Sequence, residues 1–128
     1  MIDVSVVMPA LNEEKGVGVC IQKIREVFEK EEINGEIIVV DNGSEDKTAE
    51  IARREGAFVV SELKKGYGSA YKAGFKFCRG EIIVMGDADN SYDFYDIPRF
   101  LQEINKGADF VIGNRFSGEI EYGAMPFL

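Results

Sequence analysis

The chain has 128 residues, 45% hydrophobic and 30% charged, a composition that fits one folded domain with a single core and excludes a disordered chain. Its formal net charge is −8, from 23 acidic against 15 basic side chains, so it lacks the positive field that a nucleic-acid backbone requires. No apolar run is long enough to cross a bilayer, no signal peptide is recognisable, and two widely spaced cysteines without any histidine exclude a zinc site or a Ser–His or Cys–His nucleophile.

Residues 3–8 read as a strand stopped by Pro9. From Glu13 the spacing turns helical, with Val17, Cys20, Ile21, Ile24, Val27 and Phe28 on one stripe, Asn12 as N-cap, and Glu13 and Glu14 at the positive end of the helix dipole. Cys20 and Cys78 read as small buried hydrophobes in a reducing cytoplasm. After the break at Asn34-Gly35, residues 37–40 form an apolar strand ending at Asp41. Ser44 or Asp46 caps a helix through Glu55, and Gly56 stops it. A third strand covers residues 57–61. The loop Lys64-Lys65-Gly66-Tyr67-Gly68 follows, then a helix over residues 69–79 stopped by Gly80 and a fourth strand over 81–85. A helix begins near Pro98, with Ile97, Phe100, Leu101 and Ile104 on one face, and Gly107 ends it. Residues 110–112 read as a fifth strand leading to Gly113-Asn114-Arg115, and residues 116–128 show no clear period.

Strand and helix alternate with short connections and no repeat or linker, the signature of an α/β fold: a mostly parallel sheet with helices on both faces. The strands are apolar without alternation, as burial on both faces demands. Such sheets bind ligands outside the carboxyl ends of their strands, where the strand order reverses. With order 3-2-1-4, strands one and four meet at that reversal. Pro9, Asn12 and Glu13 then gather with Asp87 and Asp89, and Asp41 and Lys65 lie further along the same edge.

Asp87-Ala88-Asp89 is the sharpest local signal. Two hard carboxylates on a turn after a short apolar strand suit a divalent cation, Mg²⁺ or Mn²⁺, that keeps its other positions for water and phosphate oxygens. An exposed acidic turn is the plain alternative. Asp41-Asn42-Gly43-Ser44 reads locally as a turn and helix cap. Gly66-x-Gly68 lacks the third glycine of a dinucleotide fingerprint and follows the third strand instead of the first. Asp87-x-Asp89-x-Ser91-x-Asp93 starts like a calcium loop, but Tyr92 replaces the required glycine and Pro98 the bidentate Glu. Tyr71, Phe75, Phe77 and Phe100 read as core, and Asp93 and Asp96 as solvated acids or a helix start.

Four ordered segments resemble a known family: Val7-Met8-Pro9-Ala10-Leu11-Asn12-Glu13-Glu14, Val39-Val40-Asp41-Asn42-Gly43-Ser44-Glu45-Asp46-Lys47-Thr48, Lys65-Gly66-Tyr67-Gly68 and Asp87-Ala88-Asp89. They are similar to the family 2 glycosyltransferases of GT-A fold, within which the dolichyl- and undecaprenyl-phosphate sugar transferases are most alike. Gly113-Asn114-Arg115-Phe116 and Gly123-Ala124-Met125-Pro126 resemble the same pattern. The resemblance implies an inverting, metal-dependent transferase that binds UDP-glucose or GDP-mannose and passes the sugar to a polyprenyl phosphate. It implies that Pro9, Leu11 and Glu13 line the nucleoside pocket and that Asp41 bonds the base or ribose. Lys65 and Gly66 would lie near the base and diphosphate. Asp89 would be the main metal ligand, with Asp87 at the ribose and metal, and Arg115 would face the phosphates; Asp87, Asp89 and Arg115 are thus the implied catalytic set.

Two residues depart from the pattern: Asn42 stands where many members have a second Asp, and Ser91 where some carry a Gln near the metal. Members are also considerably longer, so residues 1–128 are expected to be the nucleotide-sugar-binding domain, with the acceptor half and any membrane-surface association lying beyond them, at the cytoplasmic face of the membrane. Phe116, Ile120, Met125, Phe127 and Leu128 would then seek a surface, which makes self-association into a homo-oligomer an expectation. A non-catalytic nucleotide-binding module stays open at this point. A flavodoxin-like signalling domain fits the order of Asp41, Asn42 and the Asp87–Asp89 pair less well.

Overall fold

Hydrogen bonding between apolar segments builds a parallel sheet in the order β3-β2-β1-β4 from β1 (Val4–Ala10), β2 (Gly35–Asp41), β3 (Phe58–Ser61) and β4 (Ile82–Met85). The computed structural model describes residues 2–91, 93–105, 110–113 and 120–123, with side chains described up to residue 104. β1 is buried along its whole length, because it lies between two neighbours and under helices on both faces. One face carries α1 (Val17–Lys30), α2 (Thr48–Arg54), the 3-10 turn Phe94–Asp96 and α4 (Ile97–Asn105), packed around Val4, Val6, Met8 and Val39. The other carries α3 (Tyr67–Phe75) over Val7, Ile38 and Val40.

The expected stripe of α1 is buried at all six positions. Its start differs: Gly16, not Asn12, is the cap residue, because Glu13–Gly16 form a turn whose Glu13 carbonyl accepts from the amides of both Gly16 and Val17. Gly56 (φ +99°) stops α2 as expected, with Ala57 N–H donating to Ala52 O at 3.0 Å and Gly56 N–H to Arg53 O at 3.1 Å. α3 begins at Tyr67 and ends at Phe75, short of the expected residue 79. The chain must leave the helix there to reach β1, since Gly80 donates to Ser5 Oγ at 2.8 Å and a Cβ on it would stand 2.7 Å from the Ser5 nitrogen.

Burial on both faces does not extend to the edge strands. In β4, Ile83 and Met85 are exposed, because α3 lies over β1 and β2 and stops short of this edge. Phe58 of β3 is likewise exposed and leans on Phe77, with ring centroids 5.4 Å apart, so Phe77 is a surface residue and not core. Cys20 is fully buried and Cys78 only partly. Asp93 starts the 3-10 turn by accepting from Tyr95 N–H at 3.0 Å.

Pro9 lies inside β1 instead of ending it. Val7 O accepts from Gly86 N–H on the β4 side, while Ala10 O accepts from Asn42 N–H on the β2 side. Alternation therefore turns the Pro9 nitrogen toward β4, two residues past the last β1–β4 pair, Val7 with Met85. The missing N–H costs nothing in the ladder, and pairing to β2 continues through Pro9 with Val40 and Ala10 with Asp41. The fifth strand is the clearest difference. β5 (Phe110–Gly113) does not extend the parallel sheet but pairs antiparallel with β6 (Ile120–Gly123), a strand not foreseen in residues 116–128. Its alternating Ile120-Glu121-Tyr122 is too short a pattern to stand out in sequence. The expected helix stop at Gly107 lies outside the described residues.

Candidate active site

The strand order sets β1 beside β4, and their carboxyl ends diverge past Val7 and Met85. Between them opens a cleft of about 320 Å³, at the lower end of the ~300–1,000 Å³ typical of small-ligand sites. Pro9, Leu11 and Glu13 line it from the β1 side, Asp87 and Asp89 from the β4 side, Lys65 and Gly66 from the loop before α3, and Tyr67 from the first residue of α3. Seven of the residues expected at the site thus meet across three loops far apart in sequence. A wider groove of about 730 Å³ runs along the opposite, amino-terminal edge of the strands. Its cations are engaged locally, Arg79 with Glu36 at 3.0 Å and Arg25 with the Glu55 carbonyl at 2.8 Å, and it holds no comparable convergence.

Charge explains what the cleft suits. Burial and the charges of Asp89, Asp46 and Asp87 push the Glu13 carboxyl above its ordinary range, so the mouth is a region of negative potential. Asp89 Oδ1 accepts from Ser91 N–H at 2.9 Å, which fixes the side chain on a turn that Asn90 closes at φ +66°. Among the described residues no three Cys, Asp or Glu side chains cluster closely enough to hold a metal by themselves. Asp87 and Asp89 both line the cleft, two hard oxygen donors of the kind that could hold a cation whose remaining positions go to water and phosphate.

The first two loops are zipped together. Asn12 N–H donates to Ser44 Oγ at 2.9 Å, Asn12 Oδ1 accepts from Glu45 N–H at 2.9 Å, Glu13 N–H donates to Thr48 Oγ1 at 2.9 Å and Glu14 N–H to Asp46 Oδ2 at 3.2 Å. Thr48 is fully buried and its hydroxyl donates in turn to Asp46, which holds that carboxyl below its usual range. Asp41 is half-buried at the end of β2 and accepts from Ser44 N–H at 3.0 Å; it stands beside the cleft, and its neighbour Asn42 forms the wall. Arg115 lies outside the described residues.

Asn42 is the residue whose role sequence reasoning missed. Its buried amide donates to the carbonyls of Glu62 at 2.7 Å and Lys64 at 2.9 Å, and its oxygen accepts from Gly66 N–H at 3.1 Å. Its own carbonyl accepts from Lys65 Nζ at 2.8 Å. Asn42 therefore holds the Lys65–Gly66 wall in place. Tyr67, also assigned no role from sequence, is 65% exposed on that wall and offers an aromatic face at the entrance.

Comparison with known proteins identifies the family. The family model described as glycosyl transferase family 2 matches residues 5–127. A low-salt glycan biosynthesis hexosyltransferase of Haloferax volcanii is 47% identical over 123 residues, which is 95% of this chain and 30% of that protein. A dolichyl-phosphate hexose transferase of the same organism is 36% identical over 126 residues, covering 98% of this chain and 53% of that one. Among solved structures, glucosyl-3-phosphoglycerate synthase from Mycobacterium tuberculosis in complex with Mn²⁺ and UDP-glucose superposes with a TM-score of 0.70 at 29% identity, covering 82% of this chain and 40% of that one. The chain thus spans between 30% and 53% of the length of these proteins.

Proposed function

Since the chain belongs to glycosyl transferase family 2, we propose that it binds a nucleotide sugar, UDP-glucose or GDP-mannose, in the cleft between β1 and β4 for transfer to a polyprenyl phosphate. The observation that carries this reading is the meeting of Asp87 and Asp89 with Pro9, Leu11, Glu13 and Lys65 around one cleft. Pro9 and Leu11 offer apolar walls to the nucleoside, Asp41 a hydrogen bond to base or ribose, and Lys65 a cation for the diphosphate. Asp87 and Asp89 would hold Mg²⁺ or Mn²⁺. That ion would neutralise the charge that gathers on the departing nucleoside diphosphate.

The acceptor chemistry suits a chain without histidine. A phosphate monoester, with a second pKa near ~6, is already largely an anionic nucleophile at neutral pH and needs no base. Its oxygen bonds to the anomeric carbon while the bond from that carbon to the diphosphate oxygen breaks, and the electron pair leaves with the diphosphate. One such displacement inverts the centre. Arg115 is proposed to face the phosphates. Donor binding is assigned to the cleft between β1 and β4. The relation to a dolichyl-phosphate hexose transferase supports the acceptor class. No helix among the described residues is long and apolar enough to cross a membrane.

Calorimetry with UDP- and GDP-sugars, with Mn²⁺ and with EDTA, tests the reading. Affinity is expected to depend on Mn²⁺ and to lose that dependence in Asp89→Ala, whose exposed side chain lies outside the core. Asp41→Ala is expected to weaken nucleotide binding even in EDTA, by about 1–3 kcal/mol for a lost hydrogen bond. Equal affinity of the unaltered chain and Asp89→Ala at saturating Mn²⁺ would refute the metal assignment.

A further inference from the structure

We infer that one face of α1, formed by Gly16, Cys20 and Lys23, is the support that sets the position of the Asp87–Asn90 turn, and that Gly16 and Lys23 are positioning residues for the site. The inference rests on the reading of Asp87 and Asp89 as cation ligands. The three residues are spaced by four and three, so they fall on one line along the helix. Each meets the turn at a different point.

Gly16 makes the closest approach. A Cβ on it would stand 2.8 Å from Ala88 O and 3.3 Å from the Cα and C of Asp89, all backbone atoms. Its own backbone, at φ −105° and ψ −29°, is open to any residue. Glycine is needed here for space alone, to let the turn lean on the start of α1. One helical turn on, the buried Cys20 thiol reaches Asp87 O at 4.0 Å, and the Asn90 backbone N–H points to the same sulfur. Lys23 Nζ then donates to Asn90 Oδ1 at 2.8 Å, tying down the residue whose positive φ closes the turn. The Phe94 ring of the 3-10 turn packs against the start of this turn as well, since Gly86 admits it where a Cβ would meet it at 2.7 Å.

A carboxylate pair presents useful oxygens to a cation only if its backbone is fixed, and residues that merely orient ligands typically change metal affinity by ~10–100-fold when altered. Neither Gly16 nor Lys23 lines the cleft, so apart from the through-space field of the Lys23 charge an effect on the cation from these positions has to pass through the turn.

The test uses Gly16→Ala, Lys23→Met and, as a control on the same helix, Gly18→Ala, whose added methyl meets Ile51 Cγ2 at 3.2 Å, a side-chain atom away from the Asp87–Asn90 turn. Amide hydrogen exchange at Asn90 and Ser91, measured without metal, reads the turn directly. Gly16→Ala and Lys23→Met are expected to speed that exchange and Gly18→Ala to leave it unchanged. Mn²⁺-dependent nucleotide affinity is expected to fall about tenfold in Gly16→Ala, with affinity in EDTA preserved. Removing the Lys23 charge would by itself favour a nearby cation, so weaker Mn²⁺ binding in Lys23→Met identifies lost positioning. Unchanged exchange in both variants overturns the inference, and so does faster exchange with unaltered Mn²⁺ affinity. If Gly16→Ala does not fold, Lys23→Met decides. Faster exchange in a chain whose unaltered form shows no Mn²⁺ dependence upholds α1 as the turn's support and overturns the cation reading instead.

Discussion

Glu13 shows how a site residue works against the fold that carries it. Burial, then Asp89, Asp46 and Asp87, raise its carboxyl above the usual 4.5. A raised acid favours the folded state most when protonated, and that advantage fades as pH climbs through the raised value. At pH 7 the ionised side chain therefore destabilises. Glu13→Gln is expected to melt at a higher temperature than the unaltered chain at pH 7, with the gap closing toward pH 4; thermal denaturation across that range checks it, and an unchanged midpoint at pH 7 would contradict the assignment. Asn42 works the other way. Asn42→Asp would set a carboxylate against the carbonyls of Glu62 and Lys64 and forfeit two buried donors, an expected loss of about 2–4 kcal/mol in urea denaturation. Acid should recover part of the loss, because a protonated carboxyl regains one donor. Sequence marks Asn42 only as a hydrogen-bonding replacement for Asp. Its partners are backbone groups of another loop, and no pattern of side chains announces those.

At the scale of elements, legibility followed the length of the periodic signal. The α1 stripe repeats over three turns and was readable to the residue, whereas the start of α1 was not, because Glu13–Gly16 form a turn that Thr48 and Asp46 stabilise from another loop. The end of α3 was set by the approach of Gly80 to β1 and not by its own sequence. β6 has four residues, too few for alternation to be distinctive. One polar knot ties the elements together where they begin: Ser5 Oγ of β1 donates to Glu36 Oε2 of β2 at 2.6 Å, and the Arg79 N–H and guanidinium donate to the same carboxylate at 2.7 and 3.0 Å. Burial alone would raise Glu36, but these bonds outweigh it and hold the carboxyl below 4.5. A depressed acid stabilises above its unfolded value and loses that contribution as pH falls through the folded one. Glu36→Gln is thus expected to lower stability at pH 7, by on the order of 1–2 kcal/mol for charge-assisted bonds, and to flatten the acid limb below pH 4.5. Parallel loss in both proteins down to pH 2 would argue against the knot.

At the scale of the molecule, the strand order 3-2-1-4 was the inference that mattered most, since it alone brings Glu13, Lys65 and Asp89 to one place. Parallel strands with short crossovers leave few alternatives, which is why topology could be read from alternating elements. What topology does not convey is how an edge is clothed. Ile83 and Met85 looked like interior residues because a strand's sequence does not record which helix lies over it. The same limit applies to β5 and β6, whose apolar residues gave no sign of pairing with each other instead of with the sheet.

One absent hydrogen lies at the mouth of the cleft. Beyond Gly86 N–H and Val7 O, the next rung between β1 and β4 would require an amide at residue 9, and proline has none. The two strands are thus like a zipper with a stop sewn in, and on the proposed reading that stop leaves room for a ligand. Pro9→Ala would remove the stop. The new amide is expected to become protected from hydrogen exchange by bonding toward Gly86 O, drawing the Asp87 turn inward, while nucleotide affinity falls and the fold persists. An exchanging, unprotected amide at residue 9 would mean that the loops, and not the proline, hold the mouth apart.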